Sequence, residues 1–199
     1  MFIQVLQGQV HDEAALGRQF DRWLQELAPQ ADGWQGTTAG LPTQGGFIAV
    51  VRFASEEAAR RNSDRPEQDR WWTETAKSLG EVTFHDCPEV DTFGAGGSDQ
   101  AGFVQVIQGR ATDPERLRQL NAESGDQLRV MRPDIIGGTV AWHGDGGFTQ
   151  TVYFTSEAEA REGERREMPE DQRGGSAEWQ TMIVDARYFD LLDPWLQSP

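Results

Sequence analysis

The sequence contains a single cysteine, Cys87, and a single lysine, Lys77. One cysteine excludes an intrachain disulfide and fits a reducing compartment, so a cytoplasmic protein is expected. Positive charge is scarce: 18 basic residues face 33 acidic ones, a net charge of -15. Such a field repels phosphate backbones and anionic lipid, so neither nucleic acid nor a membrane surface is an expected partner. No apolar run approaches the ~20 residues that span a bilayer. The opening MFIQVLQGQVHDE has no basic segment and no long apolar one, so no signal peptide is expected. There is no GxGxxG between a strand and a helix, no P-loop and no GxSxG. The three histidines, His11, His85 and His143, share no spacing, so no metal site is expected.

What the chain has is aromatic mass and repetition. Seven Trp and ten Phe are enough to build a core. FIQVLQG at Phe2–Gly8 returns as FVQVIQG at Phe103–Gly109, an offset of 101. The register then holds without a gap. Leu16 meets Leu117, Leu27 meets Leu128, and Gly45-Gly46-Phe47 meets Gly146-Gly147-Phe148. Positions 2–60 share 19 identities in 59 pairs with 103–161, far above chance, so the chain is duplicated. The repeats are read as 1–92 and 103–199. The glycine-rich stretch Asp91–Gly102 between them serves as a flexible connector, its centre at 93–102.

Within one repeat, Phe2–Gln7 reads as a strand closed by Gly8. Asp12 and Asp113 stand at helix N-caps, and Pro114 suits a first turn. Leu16, Phe20, Trp23, Leu24 and Leu27 then form one apolar stripe. Trp34–Ala39 and Phe47–Phe53 flank Gly45-Gly46 as a hairpin. Ser55 and Ser156 cap a second helical segment, and EVTFHD or ARYFDLL closes each repeat as a strand. The order is β-α-β-β-α-β, the ferredoxin-like arrangement. The expected fold class is therefore α+β: two such repeats packed sheet to sheet as a barrel of about eight strands within one chain.

The element order, the unit length and the FxSEExA element (Phe53, Ser55, Glu56, Glu57, Ala59) resemble the dimeric α+β barrel superfamily, antibiotic-biosynthesis-monooxygenase-like group. The resemblance implies a fused version of a homodimer, a pseudo-dimer whose further association with copies of itself is open. It also implies a small apolar or aromatic ligand. The leading function it implies is a cofactor-independent monooxygenase acting on an aromatic or polyketide-like substrate, so no cofactor is expected. Two alternatives stand beside it. One is a non-catalytic ligand-binding or interaction protein. The other is a haem-binding or haem-degrading protein with His85 as iron ligand.

Trp71, Trp72, Asn62 and His85 are the candidate catalytic residues, since the resemblance implies Trp, Asn and His in such sites. Core packing is the competing role for the tryptophans. Gln4 and Gln105 are candidate ligand contacts, with a structural hydrogen bond that fixes strand register or the interface between halves as the competing role. In the second repeat, Asn121, Ser124 and Gly125 stand where the first has Phe20, Trp23 and Leu24. Lost volume there either is refilled or leaves a pocket. Asn121, Ser124, Trp142, Tyr153 and Tyr188 are the candidate lining. The repeats are expected to be inequivalent, with at most one working pocket.

Overall fold

The computed structural model describes residues 1–166 and 178–199, without the side chains at 124–127 and 129. In chain order its elements are β1 (Phe2–Val10), α1 (Glu13–Arg22), β2 (Trp34–Gly40), β3 (Phe47–Phe53), α2 (Glu56–Ser63), α3 (Pro66–Ala76), β4 (Leu79–Cys87) and β5 (Glu89–Gly94). There follow β6 (Phe103–Ala111), α4 (Pro114–Met131), β7 (Ile135–Gly144), β8 (Gly147–Phe154), α5 (Glu157–Arg165), β9 (Ile183–Leu191) and β10 (Trp195–Gln197). Residues 178–182 form one further helical turn before β9.

The chain divides into two compact units. Unit 1 comprises Met1–Pro88 and Trp195–Pro199; unit 2 comprises Glu89–Pro194. Their sheets are antiparallel, ordered β10-β2-β3-β1-β4 and β5-β7-β8-β6-β9. Four strands of each follow the ferredoxin-like order, so the α+β class and the β-α-β-β-α-β pattern hold in both repeats. The fifth strand was not legible in the sequence. Each one lies beside β2 or β7, yet in the chain it follows the other repeat. The glycine-rich stretch expected as connector thus begins as strand β5, with Asp91 opposite Val140.

The local signals explain the elements. Asp12 accepts the Ala15 N–H at 2.9 Å and Asp113 the Arg116 N–H at 3.0 Å. Ser55 and Ser156 do the same for Ala58 and Glu159. β1 runs two residues past Gly8 because the ladder shifts register between Gly8 and Val10, as it does between Gln108 and Arg110. Gly46 and Gly146 hold φ of +84° and +83°, where a side chain is strained. A Cβ on Gly46 would also stand 2.9 Å from the Gly8 carbonyl oxygen.

The first helices diverge. In unit 1, α1 gives way to a π-helical turn over Trp23–Leu27 and a 3-10 turn over Ala28–Gln30. In unit 2 the same span is one α-helix to Met131. Pro29 brings no N–H to an α-helical ladder, and bulky Trp23 starts the widened turn. The helix side of unit 1 buries Phe2, Leu16, Trp23, Trp34, Phe47, Phe53 and Trp71. That of unit 2 buries Ile107, Leu117, Leu120, Trp142, Phe148 and Met182.

Candidate functional site

In unit 1 the helix-side space is filled by rings. Phe20 stands 5.4 Å from Phe47, 6.0 Å from Trp71 and 5.3 Å from Trp195, centroid to centroid. Trp23 adds an edge contact to Trp34 at 5.0 Å. The Trp71 indole N–H donates to the Gln19 carbonyl at 2.7 Å, and that of Trp23 to Gln68 at 2.7 Å. Trp72 is half-buried against Trp71 and Phe84.

The four candidate catalytic residues do not converge. Trp71 and Trp72 are neighbours, but His85 is not with them. Phe84 turns its ring to Trp72, so the next residue on β4 points to the opposite face. Asn62 is buried on α2, where its Oδ1 accepts from Arg65 at 3.1 Å. The same guanidinium donates to the Leu27 carbonyl at 3.2 Å, closing the end of the π-helical turn. Cys87 is buried, and burial with Asp86 nearby pushes its thiol up to about 12, which keeps it out of nucleophilic chemistry.

The glutamines have a shared partner type. Gln4 donates to Asp86 Oδ1 at 2.9 Å and Gln105 to Asp190 Oδ1 at 2.9 Å, each across a strand pair. In unit 2 the pair is extended by Arg161, which bonds Asp190 Oδ2 and stacks over Phe103. In unit 1 the matching Arg60 bonds Glu56 instead. Gln108 donates to Thr149 at 3.2 Å, and His143 meets the same hydroxyl at 2.7 Å.

On the helix side of unit 2 two of the candidates, Trp142 and Asn121, meet one apolar cluster. Trp142 is buried beside Phe148, and its indole donates to Asp91 Oδ2 at 2.8 Å. Arg118 lies 4.6 Å over the Trp142 ring and pairs with Glu89 and Asp91. Asn121, half-buried on α4, accepts the Trp179 indole N–H at 3.0 Å. Trp179 packs on the same cluster as Trp142. Tyr188 stands opposite Ile107 of that cluster and is 49% exposed. Tyr153 is fully buried on β8, one residue from Val152 and so on the face turned from the helices. The Ser124 side chain lies outside the described residues.

Arg118, Asp91 and Trp195 are site neighbours that the sequence did not single out. Asp91 was masked by the glycines around it. Arg118 carried a usable signal: it sits one residue after Leu117 and two before Leu120, on the edge of the apolar stripe.

Two open clefts also repeat. One, of about 710 Å³, is lined by Gln7, Gln9, Gln44, Gly46, Glu81 and Thr83; the other, of about 470 Å³, by Arg110, Thr112, Pro114, Asp145, Gly146 and Val184. Both lie where the register shift meets the hairpin turn. Among the described residues no group of three His, Cys, Asp or Glu could hold a metal, and no helix is long and apolar enough to cross a membrane.

With both units aligned, the chain is similar to the "putative monooxygenase" of Lactobacillus acidophilus NCFM. The match has a TM-score of 0.78, 11% identity, and covers 99% of this chain and 95% of that one. A second so described, from Fusobacterium nucleatum subsp. nucleatum, gives 0.74 at 8% identity, covering 99% and 94%. An anthrone oxidase-like protein gives 0.68 at 11% identity, covering 99% and 92%. No protein-family model matches the sequence, and no curated protein does. At these identities the likeness is one of fold. These proteins and this chain share one fold over nearly their full lengths, with both units on one chain.

Proposed function

We propose that the protein binds one small, largely apolar aromatic molecule on the helix side of unit 2, and oxygenates it without a cofactor. The observation that carries the reading is the exchange at one helix position. Phe20 in unit 1 fills its space against three rings, whereas Asn121 in unit 2 places an amide there. Trp142 and Trp179 supply aromatic walls on the cluster beside it. The shared fold with proteins described as monooxygenases supports the class of reaction.

An electron-rich substrate such as anthrone needs little from a protein. Its enolate passes electrons to dioxygen, one oxygen atom enters the ring carbon, and the other leaves as water with the two hydrogens lost. The protein excludes water and orients the enolate. The reading includes a cytoplasmic location, consistent with one buried free cysteine. The test is oxygen uptake with anthrone, set against Asn121→Leu and against the spontaneous rate. Turnover that falls in the variant supports the reading. Tight binding without oxygen uptake assigns the site to binding alone. A Soret band in the purified protein, lost in His85→Ala, would favour the haem alternative.

A further inference from the structure

Each sheet is covered at one end and open at the other. β10 lies along β2 and β5 along β7, so β4 and β9 are the free edge strands among the described residues. An edge strand presents a row of backbone N–H and C=O groups to any strand that can pair with it. The two edges differ. On β9, Asp185 holds a left-handed φ of +56° at the register shift, a bulge that turns this edge away from a straight partner. On β4 the shift lies between Leu79 and Val82, and from Val82 to Cys87 the ladder to β1 is regular.

The side chains of β4 also suit a partner. Phe84 is 51% exposed, with its ring 5.3 Å from Trp72, so an aromatic pair borders the free edge. Val82 and Phe84 face the helices. Glu81 and Thr83 share the other face, where both line the cleft with Gln7, and His85 follows them by alternation. Laid antiparallel against itself about Thr83, the strand matches pair by pair. Thr83 meets Thr83, Val82 meets Phe84 twice, and the Glu81 carboxylate twice meets the His85 imidazole, which can donate to it. No two like charges stand opposite. The equivalent axis on β9 passes through Arg187, which is opposite Gln108 as Thr83 is opposite Gln7, and sets two arginines against each other.

We propose that β4 is a docking edge for a second copy of this chain, the two strands pairing antiparallel about a two-fold axis at Thr83. The contact is small, and the net charge of -15 on each copy opposes it, so the dimer is reversible and weak. The inference is independent of the ligand assigned to unit 2.

Sedimentation equilibrium of the whole chain, from about 1 to 200 µM, reads the association. The wild type shifts from monomer towards dimer over that range. Thr83 is exposed, so Thr83→Lys leaves the core intact but sets two like charges opposite, and the dimer weakens about tenfold or more. A wild type that stays monomeric overturns the proposal, and so does a dimer of unchanged affinity in Thr83→Lys. Cysteine cross-linking tests the register. Thr83→Cys forms a disulfide dimer under mild oxidation, because directly opposite residues lie about 4.5–5.5 Å apart at Cα. Glu81→Cys does not, because its two copies stand four residues apart along the strands, about 13 Å. The native Cys87 is buried and takes no part. Equal cross-linking at both positions overturns the proposal.

Discussion

The two repeats solve the same packing problem with different chemistry. In unit 1 the fifth strand, β10, is held by Trp195, whose ring meets Phe20 and Phe47. In unit 2 the fifth strand, β5, carries Asp91 at the matching ladder position, opposite Val140 as Trp195 is opposite Ala39. Asp91 takes the Trp142 indole and the Arg118 guanidinium. Where unit 1 stacks ring on ring, unit 2 lays Arg118, Arg132 and Arg161 on Trp142, Phe154 and Phe103. Ring packing fills space and leaves no polar atom exposed to a ligand. Guanidinium and amide groups bring donors to a face that is otherwise apolar. The comparison teaches that one frame can be filled in two ways, by ring volume in one half and by polar groups among rings in the other.

The largest expected effect concerns Cys87, which reports on unit 1 alone. With its thiol pushed up to about 12, labelling of the native protein at pH 8 should be slower than that of a free cysteine by on the order of a thousandfold. Labelling should then track opening of unit 1. If labelling is fast in the native state, β4 is not packed as described.

Next is Trp71→Ala, which removes the ring at the centre of the unit 1 cluster. It should destabilise by about 3–5 kcal/mol in urea unfolding. A loss below about 1 kcal/mol would show that the rings are not a cooperative core. Asp91→Ala should be milder, about 1–3 kcal/mol, because it strands the buried Trp142 indole and leaves Arg118 with Glu89 alone. Asp91→Asn keeps an acceptor and should recover part of that loss. Equal effects of Ala and Asn would remove the hydrogen bond from the account.

The smallest effect is a pH response confined to unit 2. The Arg116 guanidinium holds the Glu178 carboxylate below its ordinary range. A depressed carboxylate stabilises the folded form above its unfolded value, about 4.3, and that contribution is lost as pH falls through its lower folded value. Acidification below about pH 4 should therefore loosen residues 178–182 from α4, read as a shift of the Trp179 indole resonance. Arg116→Gln should abolish the response. A shift that persists in that variant would assign it to another group.

Much of the frame was legible. The repeat register located both sets of strands, and four polar residues at helix starts marked N-caps that the backbone uses. The fifth strands were not legible. β10 has three residues, too few to show alternation, and β5 is embedded among glycines that signal a turn. The Gln4–Asp86 and Gln105–Asp190 pairs were half visible: both partners repeat, but at offsets of 101 and 104, and cross-strand pairing leaves no local pattern. The separation of His85 from Trp72 follows from strand alternation next to Phe84, once the facing of Phe84 is known. The Asn121–Trp179 bond joins residues 58 apart, beyond the reach of any periodicity.

The inequivalence of the units is tested most directly by calorimetric titration of the whole chain with 2-acetylnaphthalene. The account predicts one site per chain, weakened about tenfold or more in Asn121→Asp and unchanged in Trp72→Ala. Two equal sites, or binding lost in Trp72→Ala and kept in Asn121→Asp, would contradict it.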